Sequence, residues 1–124
     1  LYFYPKDFTA LCTAEACSFR DAFDTFIDLG VDVVGISTDD LETHHRFKAA
    51  HHLPFELLSD PNSHVAKLYG AVIPVVGITR RKTFLLDKDL TVVAMFENMF
   101  SPDQHTRTMI ERLKAGATAS TLSA

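Results

Sequence analysis

Leu1-Tyr2-Phe3-Tyr4-Pro5-Lys6-Asp7-Phe8-Thr9-Ala10-Leu11-Cys12 is the stretch that decides the fold. The run Leu1–Tyr4 has the apolar, aromatic composition of a buried strand. Pro5 ends it, because proline has no N–H to continue a ladder. Pro5–Phe8 reads as a loop, and Thr9 is placed to cap a helix that begins around Ala10 to Thr13. A strand feeding directly into a helix sets Cys12 in the first helical turn. There the unpaired N–H groups and the positive dipole end favour a thiolate. On position alone, a buried structural cysteine is an equally good reading. The start is abrupt, so a fragment is expected, lacking an N-terminal segment.

Outward from this stretch, Cys12–Leu29 carries Ala16, Phe19, Phe23, Phe26 and Ile27 at helical spacing, with Gly30 as C-cap. Val31–Ser37 is a β-branched run expected to be buried on both faces. A helix follows from about Leu41 to His52, then a strand Phe55–Leu58 and a turn Ser59–Asn62. Ser63–Tyr69 reads as a short helix stopped by Gly70. Thr83–Asp87 and Thr91–Phe96 read as strands joined by a hairpin turn, and Ser101-Pro102-Asp103 starts a helix running to about Lys114. Ala115–Ala124 is expected to fray. Alternating strands and helices imply crossover units and a mixed central sheet covered on both faces. The last two strands are too close for a crossover and should pair antiparallel. This is an α/β pattern compatible with a thioredoxin-like fold, in one domain over 1–124.

Cys12 has company. Pro5, Thr9 and Cys12 form Pro-x-x-x-Thr-x-x-Cys, and Cys12-Thr13-Ala14-Glu15-Ala16-Cys17-Ser18-Phe19-Arg20-Asp21 follows. Further on come Gly35-Ile36-Ser37-Thr38-Asp39, Leu53-Pro54-Phe55-Glu56-Leu57-Leu58-Ser59-Asp60-Pro61 and Arg81-Lys82-Thr83-Phe84-Leu85-Leu86-Asp87. In this order the motifs resemble the peroxiredoxins of the AhpC/TSA family, in their bacterioferritin-comigratory or peroxiredoxin Q branch. The resemblance runs from Leu1 to about Asp89 and is weaker beyond.

The resemblance implies a thiol peroxidase acting on hydrogen peroxide or organic hydroperoxides. Cys12 would be the nucleophile, attacking a peroxide oxygen and becoming a sulfenic acid. Thr9 would hydrogen-bond the peroxide, Pro5 would wall the pocket, and Arg81 would stabilise the thiolate and the departing oxygen. Arg-x-Thr-Phe spacing selects Arg81 over Arg80, and alternation would turn Arg80 to the opposite face. Cys17 would be the resolving cysteine of an intramolecular disulfide, reduced afterwards by thioredoxin or a similar thiol reductant. Geometry adds a condition. Five residues of helix rotate by about 500° and rise about 7.5 Å, whereas bridged Cα atoms rarely exceed about 7 Å. The start of the helix must therefore unwind to form that disulfide. Glu15 also matches the branch, either bonding within the helix or favouring its dipole.

Two features depart from the pattern. Ala10-Leu11 stands where the family usually has Pro-Gly, and Ala71–Thr79 is shorter than the corresponding loop in many relatives. Three rival readings stay open: a one-cysteine peroxidase with Cys17 inert in the core, a redox sensor or binding module that keeps the fold, and a zinc-binding interaction domain.

Composition narrows the field. The net charge of -4 offers no basic stripe for nucleic acid. Ala71–Ile78 is the longest apolar run, far too short to cross a bilayer, and a cytoplasmic protein is expected. Two cysteines make no disulfide scaffold. His44, His45, His51 and His52 lack the three- or four-residue spacing of a helical zinc pair and read as a solvated face, with no metal expected. Asp39, Asp40 and Glu42 read as helix-start acids. No haem, flavin or other cofactor is implied. Relatives of this branch are often monomers, so a monomer is expected, although dimers occur across the family.

Overall fold

The computed structural model describes residues 1–119. Its elements are β1 (Tyr2–Phe3), α1 (Ala10–Asp21), α2 (Phe23–Asp28), β2 (Val34–Ser37), α3 (Leu41–His51), β3 (Glu56–Ser59), α4 (His64–Leu68), β4 (Lys82–Leu86), β5 (Val92–Glu97) and α5 (Pro102–Ala119). The sheet order is β3-β2-β1-β4-β5. β1–β2 and β2–β3 are parallel, while β1–β4 and β4–β5 are antiparallel. The expected mixed sheet and closing hairpin are both present. No described helix is long and apolar enough to cross a membrane.

β1 is short but central, and its alternation divides the core. Tyr2 and Tyr4 point into a cluster with Cys12, Ala16 and Phe19 of α1, Phe26 of α2, Phe47 of α3 and Met109 of α5. Phe3 points the other way, into a cluster with Ile36, Ala66, Ala71 and Phe84. On the first face Tyr2 stacks on Phe19, with ring centroids 4.5 Å apart. This pins α1 over the strand from which it departs.

Three expectations are corrected. The helix expected over Cys12–Leu29 is two helices, broken at Ala22. The bend lets Phe26 meet Phe19 and Phe23 meet Phe55, contacts that a straight helix does not bring together. The Val31–Ser37 strand begins only at Val34, because exposed Asp32 accepts a hydrogen bond from the N–H of Val33. α5 continues past Lys114 to Ala119, and the rest of the expected tail, 120–124, lies outside the described residues.

Gly35 is required by close packing. A Cβ there would lie 2.9 Å from Tyr2 Cζ and 2.8 Å from Leu57 Cδ2. The Tyr2 ring, stacked on both Tyr4 and Phe19, has little room to give way. Gly35→Ala is therefore expected to destabilise the protein by about 1–3 kcal/mol. Urea denaturation reads this directly, and an unchanged midpoint would refute the packing argument.

Candidate active site

Cys12 is the third residue of α1 and is 1% exposed. Across from it stands Arg81, the residue just before β4. Arg81 Nη2 donates to Cys12 Sγ at 3.4 Å and Nη1 donates to Glu15 Oε1 at 2.8 Å. Its Nε donates to the Met99 carbonyl at 3.0 Å. Every edge of the guanidinium is thus engaged, and its plane is fixed against the sulfur. Arg80 turns away, pairing with Glu97 at 3.0 Å near the surface. Alternation along the approach to β4 explains the division, since Arg81 and Thr83 share a face.

Glu15 is the residue that the sequence reading undervalued. It is fully buried, one turn after Cys12 on the same helix face, and bridges α1 to Arg81. Only one of its oxygens is satisfied; among the described residues Oε2 has no hydrogen-bond partner. Burial therefore outweighs the pull of Arg81 and pushes the carboxyl up to about 8. His105 lies 3.7 Å from Oε2 but forms no ion pair with it. Its Nε2 donates to the Asn98 carbonyl and its Nδ1 faces the Thr83 hydroxyl, while burial lowers its pKa and keeps the ring neutral.

Thr9 occupies the N-cap of α1 with extended backbone, and its carbonyl accepts from Thr13 N at 2.8 Å. Its side chain does not cap, contrary to expectation. The hydroxyl donates to the Lys6 carbonyl at 2.9 Å instead, closing the loop that follows Pro5. Among the described residues no hydrogen bond joins Thr9 to Cys12. Cys17 is half-buried further along α1, its thiol free like that of Cys12, with Sγ 3.9 Å from His51 Nδ1. Ala10 and Leu11 are exposed on the first turn.

The loop before Thr9 is held by a buried polar network rather than by its own turns. Asp7 N donates to Asp39 Oδ2 at 2.8 Å, and Asp39 also accepts from the Ser37 hydroxyl at 2.6 Å. The Asp7 carboxylate accepts from the Tyr4 hydroxyl and from His44 Nδ1, the latter at 2.6 Å. His44 Nε2 donates to the Leu58 carbonyl at 3.0 Å. Both ring nitrogens face acceptors, an arrangement that favours the imidazolium. Burial opposes its charge, but Asp7, Leu58 and Asp39 together raise its pKa above the ordinary histidine value. The reading of the four histidines as one solvated face is corrected here: His45 and His52 are exposed, whereas His44 is buried because Asp7 and Leu58 satisfy it. Asp39 is likewise no helix-start acid; Asp40 alone caps α3, accepting from Thr43 N. The ligand-type atoms of Asp7, Asp39 and His44 lie within 4.8 Å of one another, but they are engaged with each other and with the backbone.

Of the groups that titrate between acid and neutral pH, Glu15 and His44 hold protons more tightly in the folded chain than in the unfolded one, whereas His105 holds its proton less tightly. For Glu15, raised from 4.5 to about 8, folding stability falls as pH rises between these values. For His44 the contribution is complete below about 6.5 and is lost as pH climbs through its raised folded value. Together they make stability decline from about pH 5 to 8, offset in part by His105, whose lowered pKa adds stability as pH rises toward about 6.5; Glu15→Gln should reduce that decline. Urea midpoints across this range check it; an unaltered slope in the variant would rule Glu15 out as the source.

Comparison with known proteins follows the same lines. The AhpC/TSA family model matches residues 1–95. The chloroplastic peroxiredoxin Q of Arabidopsis thaliana is 40% identical over 116 residues, covering 93% of this chain and 54% of that protein. Its counterpart in Oryza sativa subsp. japonica is 42% identical over 106 residues, covering 85% and 49%. The chain therefore spans about half the length of the curated relatives it matches. Among solved structures, peroxidoxin BcpB from Mycobacterium tuberculosis superposes with a TM-score of 0.85 at 34% identity, over 92% of this chain and 76% of that one. The Xanthomonas campestris bacterioferritin comigratory protein, described for its alkyl peroxide reduction activity, gives 0.83 at 28% identity, over 94% and 77%. The expected thioredoxin-like fold is borne out, and the chain belongs to the AhpC/TSA family.

Proposed function

We propose that the protein is a thiol-dependent peroxidase with Cys12 as its nucleophile. The observation that carries this reading is the buried contact of Arg81 with Cys12 Sγ at 3.4 Å, at the start of a helix. In a site shielded from water, a fixed guanidinium favours negative charge on the sulfur and on the departing peroxide oxygen. The Cys12 thiolate attacks one peroxide oxygen, the O–O bond breaks, and the other oxygen leaves as alkoxide or hydroxide and takes up a proton. The sulfur is oxidised to the sulfenic acid and the peroxide reduced to alcohol or water. Thr9, whose proton is engaged by the Lys6 carbonyl, retains an oxygen lone pair for the peroxide O–H, and Pro5 closes the loop behind it.

Cys17 then resolves the sulfenic acid, and a thiol reductant such as thioredoxin reduces the disulfide. Both cysteines lie on the intact α1, so the helix must open from its N-terminal end between the two steps. The cycle suits a reducing compartment, where free cysteines persist, and hence the cytoplasm. It needs no metal, haem or flavin and proceeds within one monomer.

Hydrogen peroxide consumption with thioredoxin, thioredoxin reductase and NADPH should be lost in Cys12→Ser. In Arg81→Gln, Cys12 oxidation should slow by about 10²-fold. Sustained turnover in Cys12→Ser would overturn the reading. Thioredoxin-supported turnover surviving in Cys17→Ser would favour the one-cysteine cycle, and oxidation of Cys12 without turnover would favour a sensor. On oxidation, amide exchange should accelerate over residues 10–16; unchanged protection there with the disulfide formed would exclude helix opening.

A further inference from the structure

The contact between Cys17 and His51 is not used by the chemistry at Cys12. His51 stands in the last turn of α3 and turns Nδ1 toward Cys17 Sγ at 3.9 Å. Its ring is set by aromatic neighbours: Phe47 meets it edge-on at 5.1 Å between centroids, and Phe8, from the loop before Thr9, lies at 6.4 Å. The same corner is tied by Arg20, one turn beyond Cys17, whose Nη1 donates to the His51 carbonyl at 2.9 Å. On the neighbouring face of α1, the Ser18 hydroxyl donates to Thr106 on α5 at 2.8 Å. The half of α1 that carries Cys17 is thus anchored to α3 and α5, beside an imidazole.

We propose that His51 is the general base of the resolving step, taking the thiol proton of Cys17 so that its thiolate can attack the Cys12 sulfenic acid. This rests on the two-cysteine reading above. The step balances. Nδ1 accepts the proton from Cys17, the Cys17–Cys12 S–S bond forms, and the Cys12 S–O bond breaks. The hydroxide leaves as water on regaining a proton. Cys17 sulfur is oxidised and the sulfenic sulfur reduced, the oxidising equivalent having come from the peroxide. The base must carry its proton on Nε2 to leave Nδ1 free, a tautomer that the contact permits. The carbonyl end of α3 favours the imidazolium that results. Because Arg20 and Ser18 hold the Cys17 half, it is the Cys12 half that unwinds and travels to a thiolate already formed at His51.

Among the described residues, the charged and titratable groups facing this corner are few. Arg20 lies beside it, its charge supported by Asp21 first and by the Cys17 sulfur as well. Tyr2, from β1 beneath α1, is buried and held protonated by desolvation and by the acidic groups around it. Lys48, one turn earlier on α3, is engaged by Glu56 at 2.9 Å. None of these is a base at neutral pH, which leaves His51 as the group whose loss should show in the pH profile.

The test follows disulfide formation after one equivalent of hydrogen peroxide, by rapid acid quench and thiol alkylation, from pH 5 to 9. The wild-type protein is set beside His51→Gln and His51→Asn, and Cys12 oxidation is timed separately by the loss of its reactivity. Near neutral pH the variants should form the disulfide about 10²-fold more slowly. The deficit should shrink as pH rises and Cys17 ionises unaided, and added imidazole should restore part of the rate. His51→Asn keeps a nitrogen at the δ position without a base, so it separates proton transfer from packing. Wild-type rates and pH profiles in both variants would overturn the base role while leaving the two-cysteine cycle intact. No Cys12–Cys17 disulfide in the wild-type protein would overturn both.

Discussion

The site turns on one buried guanidinium. Arg81 is reached by a helix residue, Glu15, by a loop carbonyl, Met99, and by the sulfur of Cys12, and it sits at the entrance to a central strand. Burying such a charge is costly unless every donor is met. The chain gives each of the three nitrogens a partner, from α1 and from the segment after β5. α1 is therefore not merely packed on the sheet; it is orientated about its own axis by a directional contact. Glu15, satisfied through only one oxygen, binds its proton more tightly than an ordinary carboxyl. Where it is neutral, more of the Arg81 charge is available to the sulfur.

Much of this was legible in the sequence, and the limits are physical. Strand, loop and helix from Leu1 to Asp21 followed from composition, Pro5 and the position of Thr9. The choice of Arg81 over Arg80 followed from the Arg-x-Thr-Phe spacing of the family it resembles, together with strand alternation. What the sequence hid were partners distant in the chain. The depth of His44 depends on Asp7, and that of Glu15 on Arg81, and periodicity carries no such information. An acidic residue on the apolar face of a helix, at Glu15, was the available signal, since a carboxyl there requires a buried cation. The break at Ala22 was illegible for a similar reason. The apolar spacing suits a continuous helix, and only the positions of Phe55 and Phe19 favour the bend.

α1 is held unevenly. Its first turn is exposed at Ala10 and Leu11 and follows a loop in which Phe8 adopts a left-handed backbone, φ 65°, unfavourable for a bulky residue. That loop is kept in place by Asp7 through Asp39 and His44. The later turns are fixed by Phe19 in the core and by Ser18 and Arg20 at the flanks. A helix held in this way is weakest at the end that bears Cys12, the end from which the proposed cycle needs it to open.

The strand order carries a last consequence, for the chain as it is made. Of the described strands β1 comes earliest in the sequence and lies in the centre of the sheet, and its neighbour β4 follows only after β2 and β3. The parallel half, β1-β2-β3, has its residues early; the hairpin that delivers Arg81 arrives late, across long loop closures that slow folding. Until then Cys12 has no guanidinium beside it. On the peroxidase reading proposed above, the contact that would activate this thiol exists only once the sheet is complete.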